Sequence, residues 1–298
     1  MKLRRWLEAA LLGLIALTPH TVGASELSLD LSAPSAGMPS GGLPFSLYKP
    51  AAEPPARRRW PTLYLMHGVN GAQRDWPIMG HVQQTVDTLI AAGRIKPLMI
   101  VMPWGGASWF VDNPDPGGAG MVSRAVTRDL PDFIEKNLPA LACRGGRATG
   151  GLSMGGYGAL LYAMDHPREY AAAFSLSGAI WAPMPDDPEA FAKRPTRMFH
   201  GSYGEPLDAR RFNAWNLFPR LPAYIADKDR TPFYFAVGDD DFASLRNANK
   251  AIVAALADGG VAAPFRSDPG RHDWALWEKQ LAPALEWLDG KLSRDCPG

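Results

Sequence analysis

The sequence predicts an α/β protein with a mostly parallel central sheet, helices on both faces, and an insertion before a late strand. Three observations lead there. Between residues 60 and 290, short apolar runs alternate with segments of helical spacing, the pattern that right-handed crossovers impose on a parallel sheet. The stretch from Gly150 to Gly158 contains Gly-x-Ser-x-Gly as Gly151, Ser153 and Gly155, where a strand should give way to a helix. Hydrophobic residues make up 46% and charged residues 20% of the chain, which is the balance of a folded globular protein and not of a disordered one.

Taken in order, the alternating runs 26–31 and 45–48 read as antiparallel edge strands separated by Pro/Gly-rich turns. Residues 62–66 form a buried strand, and 82–92 a helix that stops at Gly93. Residues 97–102 are a second apolar strand. Residues 123–138 carry Val126, Leu130, Phe133, Ile134 and Leu138 on one helical face. The strand 147–151 runs into Ser153, and the helix 154–164 that follows is stopped at His166 and Pro167. Residues 171–176 and 232–237 are strands, the latter ending at Gly238. A helix over 244–257 ends at Gly259 and Gly260, and a last strand over 263–267 precedes a last helix over 274–288. Residues 178–231 break the alternation. They are rich in proline and in aromatic residues from Trp181 to Tyr224, and read as an insertion over the strand ends of a single domain, 25–298. Most of these rings are expected to pack the insertion's own core, with one or two lining the substrate pocket.

Residues 1–24 read as an export signal. Lys2, Arg4 and Arg5 precede an apolar run over 9–17, and Val22, Gly23 and Ala24 offer a small-residue cleavage site before Ser25. The run is too short to span a bilayer, and no later segment is long and apolar enough to do so. The mature protein is therefore expected to be soluble and exported, periplasmic or secreted. A net charge of +1 gives no electrostatic footprint for nucleic acid. Export makes a disulfide permissible, and Cys143 and Cys296, the two cysteines present, allow one intramolecular pairing. The alternative is two unpaired thiols.

Chemistry enters at Ser153. A serine hydroxyl is a poor nucleophile at neutral pH and needs a base within hydrogen-bond reach and a group that orients the base. In this architecture the order is serine, acid, histidine. Three histidines follow Ser153. His166 ends a helix, where capping suffices, and His200 lies inside the insertion. His272 follows the last strand at the correct edge and is the expected base. The acid should follow the preceding strand, where Gly238 leads into Asp239, Asp240 and Asp241. Asp241 lies farthest into the loop and is chosen; Asp239 is the reserve. The tetrahedral oxyanion needs N–H donors. Met154, directly after the serine, supplies one, and the loop after the 62–66 strand the other, with Val69 preferred and Gly68 close behind. His67 precedes the serine in the chain and ends a strand, which suits a structural role. No zinc-protease helix, phosphate loop or dinucleotide fingerprint is present, so neither a metal nor a cofactor is expected.

These pieces resemble the putative-esterase family of α/β-hydrolases, which includes feruloyl and acetyl esterases, S-formylglutathione hydrolases, enterochelin esterases and mycolyltransferases. The resemblance is carried by residues 63–68, by 101–103 with 108–110, by 151–160, by 238–242 and by 269–277. It implies an α/β-hydrolase fold and a serine-dependent acyl-ester hydrolase with Ser153, Asp241 and His272 as its triad, and it supports Val69 and Met154 as oxyanion donors. The expected substrate is a small-molecule or carbohydrate-linked ester. Trp76, Trp104 and Trp109 lie in loops expected to border its pocket. Two alternatives stand beside hydrolysis: acyl transfer to a carbohydrate or lipid acceptor through the same triad, and a non-catalytic binding protein on the same scaffold.

Overall fold

The computed structural model describes residues 24–51, 54, 59–185, 196–199 and 201–296. Most of the proposed export signal, residues 1–23, lies outside the described residues, as do His200 and residues 186–195 of the insertion. Among the described residues no helix is long and apolar enough to cross a membrane.

An eight-stranded sheet has the order β1–β2–β4–β3–β7–β8–β9–β10. Its strands are β1 (Glu26–Pro34), β2 (Gly42–Lys49), β3 (Thr62–Met66), β4 (Met99–Pro103), β7 (Arg147–Leu152), β8 (Ala172–Leu176), β9 (Phe233–Gly238) and β10 (Phe265–Asp268). The pairings β1/β2 and β2/β4 are antiparallel, and every pairing from β4 to β10 is parallel. The expected 26–31 strand thus lies at the edge. The 45–48 strand does not, because β2 bonds to β4 along its second side.

Both faces of the sheet are covered. In β3, Tyr64 and Met66 point into one core and Leu63 and Leu65 into the other, the two-residue period of a strand buried on both sides. The helices α1 (Asp75–Ile78) and α2 (Val82–Ala91) follow β3. Val82, Val86 and Leu89 of α2 join the second core. After β4, the short strands β5 (Asp112–Asn113) and β6 (Gly120–Met121) form a small hairpin before α3 (Val122–Arg124) and α4 (Leu130–Asn137). The single helix expected over 123–138 is instead interrupted by a π-helical stretch, Ala125–Asp129. Pro131 explains the break, since it has no N–H for the carbonyl four residues earlier and its ring crowds that carbonyl.

Among the described residues the remaining α-helices are α5 (Met154–Asp165), α6 (Ala209–Ala214), α7 (Leu221–Ala226), α8 (Ala243–Asp258) and α9 (Trp274–Asp289). Described residues of 178–231 contribute Phe199, Tyr203 and Phe212 to an aromatic cluster with Trp109. Ser202 donates to the Ala107 carbonyl at 2.9 Å, and Asn113 donates to that of Gly201 at 2.9 Å. The segment is therefore stapled onto the loop that follows β4. Cys143 and Cys296 form a disulfide with a Cα separation of 5.9 Å. It ties the C-terminal segment after α9 to the turn that feeds β7, which decides between the two alternatives left open by the sequence.

Candidate active site

Ser153 occupies the turn between β7 and α5 with φ 51°, a left-handed conformation that non-glycine residues rarely hold without support. Its N–H donates to the Leu176 carbonyl at 2.9 Å, and its own carbonyl accepts from Tyr157 and Ala179 at 3.1 and 2.8 Å. The flanking glycines permit the close approach of the surrounding chain. A Cβ on Gly155 would lie 2.5 Å from the carbonyl oxygens of His67 and Met66, and one on Gly151 would lie 2.6 Å from the Gly155 backbone. Only hydrogen fits at either place.

The Ser153 Oγ lies 3.0 Å from His272 Nε2, and His272 Nδ1 lies 2.9 Å from Asp241 Oδ1. Backbone bonds hold the two later loops together: Asp239 N–H donates to Asp268, and Asp240 N–H to Gly270, at 2.9 and 3.0 Å. Of the three adjacent aspartates, Asp241 is the one that meets the imidazole. Asp239 accepts instead from the Ser267 hydroxyl. Burial pushes the Asp241 carboxyl up, but the hydrogen bond with His272 and the one from the Phe242 N–H help to outweigh it, and the group is held below the ordinary carboxylate value. The imidazole of His272 is bracketed by the rings of Phe242 and Trp277, at centroid distances of 5.2 and 4.9 Å.

Two backbone donors lie close by. Met154 opens α5, where the first N–H groups have no intrahelical acceptor and the helix dipole is positive. Val69 and Gly68 line the cavity that contains Ser153. Among the described residues no loop or turn hydrogen bond to a backbone carbonyl takes up the Val69 N–H.

His67 stands behind this loop. Burial lowers its pKa to about 4, outweighing the opposing effect of its Gly68 hydrogen bond. Nδ1 donates to the Gly68 carbonyl at 2.6 Å, while Nε2 accepts the Gly105 N–H at 2.8 Å. Both nitrogens are committed to backbone in the neutral form, so His67 braces the loop.

The cavity above Ser153 has a volume of about 380 Å³ and is lined by Gly68, Val69, Asp75, Leu152, Ser153, His272, Asp273, Trp274 and Trp277. None of the three tryptophans expected at the pocket is among them. Trp76 is 1% exposed and donates its Nε1–H to the Met66 carbonyl; α1 tucks it under the sheet. Trp109 is buried in the aromatic cluster and donates to the Met198 carbonyl. Trp104 borders a separate groove with Met38, Pro39 and Pro44. No described residue of 178–231 lines the Ser153 cavity; Ser202 and Gly201 of that segment brace the loop after β4. Sequence reasoning missed Asp75, Trp274 and Trp277. The last two sit one helical turn apart at the start of α9, two and five residues after His272, and that proximity was the available signal.

A serine hydroxyl backed by an oriented imidazole can attack a carbonyl carbon, and N–H donors placed beside it would hold the resulting oxyanion. Comparison with known proteins points the same way. A family model described as "Putative esterase" matches residues 38–288. The chain is 26% identical over 247 residues to an acetyl esterase of Caldicellulosiruptor saccharolyticus, covering 76% of this chain and 82% of that protein. It is 33% identical over 233 residues to an endo-1,4-beta-xylanase/feruloyl esterase of Xylanibacter ruminicola. That match covers 78% of this chain and 27% of the relative, so the chain spans about a quarter of that protein's length. Among solved structures, a ferulic acid esterase matches with a TM-score of 0.73 at 25% identity, over 91% of this chain and 100% of that one.

Proposed function

Because the chain belongs to the esterase family of α/β-hydrolases, we propose that it is a serine carboxylesterase working through Ser153, His272 and Asp241. The observation that carries this reading is the continuous hydrogen-bonded path from Ser153 Oγ through both nitrogens of His272 to Asp241, at 3.0 and 2.9 Å. His272 accepts the hydroxyl proton as Ser153 Oγ attacks the acyl carbon. Asp241 fixes the tautomer with the proton on Nδ1 and stabilises the imidazolium without taking its proton. The N–H groups of Met154 and Val69 receive the oxyanion. His272 then protonates the departing alcohol, leaving an acyl-enzyme that water, activated by the same imidazole, hydrolyses. Names of relatives support acetyl and feruloyl esters as the first substrates to try.

The same acyl-enzyme passes its acyl group to an alcohol if one outcompetes water, and an open cavity of about 380 Å³ has room for a second alcohol. The proposed export of the chain behind residues 1–24 is supported by the Cys143–Cys296 disulfide, since such bonds persist in oxidising compartments. Mass spectrometry of the exported protein should then show Ser25 as its first residue.

The mechanism is tested with p-nitrophenyl acetate, butyrate and octanoate and with methyl ferulate, offered to wild type and Ser153→Ala in parallel. The substitution should reduce turnover by at least about a thousandfold with an unchanged circular dichroism spectrum. Turnover retained in the variant would overturn the proposal. Product partitioning in the presence of added sugar or glycerol separates hydrolysis from transfer.

A further inference from the structure

Asp75 is a charged group beside Ser153 that has no part in the proposed triad. It lines the same cavity as Ser153, and burial raises its pKa against the pull of its one backbone hydrogen bond. The carboxylate is half-buried at the wall of an open cavity, where solvent or a bound molecule can reach it. Here, among the described residues, no lysine, arginine or histidine forms an ion pair with it. One of its oxygens is accounted for: Oδ2 accepts the Ala72 N–H at 3.1 Å and closes the turn before α1. The other accepts no hydrogen bond from the described residues. Asp273 lines the cavity too, but its side chain caps α9 by accepting the Leu276 N–H at 3.1 Å.

The surroundings of Asp75 are specific. The next residue, Trp76, packs edge-on against Trp274 with ring centroids 5.3 Å apart, which brings the carboxylate and the partly exposed Trp274 ring into neighbouring parts of the lining. No lysine or arginine lines the cavity. An indole ring gives an apolar platform, and an unpaired carboxylate oxygen gives a strong acceptor for hydroxyl donors. An alcohol with C–H groups on one face and hydroxyls at its edge matches both. A negatively charged alcohol does not, because it would meet two carboxylates. Trp274 follows His272 by two residues, and His272 is the group that hands its proton to the departing alcohol.

We propose that Asp75 is a specificity-determining residue that accepts hydrogen bonds from the hydroxyls of a sugar-like leaving alcohol seated against Trp274. This rests on the serine-esterase reading and deepens it. A site built to accept from a substrate hydroxyl discriminates strongly against an analogue without one, so Asp75 acts on the choice of alcohol and leaves the acyl step untouched.

The test keeps the acyl group constant and varies the alcohol: an acetylated methyl xyloside, p-nitrophenyl acetate and acetylcholine, each with wild type, Ser153→Ala and Asp75→Asn. The asparagine keeps an oxygen for the Ala72 N–H and removes the charge. In Asp75→Asn, kcat/KM on the xyloside ester should fall about 10- to 100-fold, mostly through KM, while that on p-nitrophenyl acetate stays within about twofold. Equal losses on both esters would make Asp75 a brace for the Gly68–Val69 loop and overturn the proposal. So would no loss on either, a loss confined to acetylcholine, or a wild type that cleaves p-nitrophenyl acetate but not the sugar ester; in each case the triad reading survives. A wild type indistinguishable from Ser153→Ala on every ester would sink the esterase reading and this inference with it.

Discussion

His67 Nε2 accepts the Gly105 N–H at 2.8 Å inside a fully enclosed site, so a histidine beside the serine's cavity is held neutral as a joint between the loops after β3 and β4. The isolated bridge between Gly71 and Gly106 ties the same two loops a second time. Protonation of His67 would convert an acceptor into a donor facing a donor.

The pH dependence of stability follows from that joint. The folded-state pKa of His67 is lowered to about 4 from the ordinary 6.5, so the unfolded chain binds the proton more readily. Its contribution is complete above pH 6.5 and is lost as pH falls from 6.5 toward 4, amounting to about 3 kcal/mol across that window. Urea unfolding at pH 7.5, 6, 5 and 4.5 should show wild type losing stability over this range and His67→Gln losing less. Parallel pH profiles for the two proteins would count against the assignment.

Trp76 and Trp274 should separate stability from substrate handling. Trp76→Ala removes a buried ring and its bond to the Met66 carbonyl, and should cost about 3–5 kcal/mol in chemical denaturation. Trp274→Ala, at the cavity wall, should change KM for bulky esters with a smaller stability loss. The reverse pattern would place Trp76, and not Trp274, at the substrate.

Among the three aspartates, Asp241→Asn should lower kcat by about 10⁴-fold, because the amide presents the wrong hydrogen-bond partner to His272 Nδ1. Asp239→Asn touches only the Ser267 hydroxyl and an exposed turn and should leave kcat within about threefold. Steady-state kinetics on p-nitrophenyl acetate decides between them.

Replacing both Cys143 and Cys296 by serine opens a loop with a sequence separation of 153. In the chain-entropy model this costs up to about 5 kcal/mol, with measured losses more often near 2–4. Thermal unfolding should reveal the loss, while esterase activity at 25 °C persists, since Cys143 lies before the start of β7 and Ser153 follows its far end.

Ser153, Asp241 and His272 were legible in the sequence for a shared reason. Each stands in a turn directly after a strand, and the glycines at 151, 155, 238 and 270 mark those turns by removing side chains that would collide. The order of the elements was legible because period-2 and helical spacing are local properties of the chain. What escaped was non-local or very short. The α1 helix is 4 residues long, too few to show a period, so Trp76 read as a loop residue at the pocket when the turn folds it beneath the sheet. The π-helical stretch before Pro131 depends on one missing N–H. Asp75 and Trp274 lie far apart in sequence and line one cavity only because α1 and α9 pack on the same face, Trp76 against Trp274.

The bond between Cys143 and Cys296 makes a covalent ring of the chain between them, and Ser153, Asp241 and His272 all lie within it. A protease that cuts once inside residues 178–231 therefore opens a strand of that ring and frees nothing. The serine-bearing piece and the histidine-bearing piece stay tethered, so their reassembly after transient separation is an intramolecular event with a high effective concentration. Such a nicked molecule would run as one species until a reductant divides it.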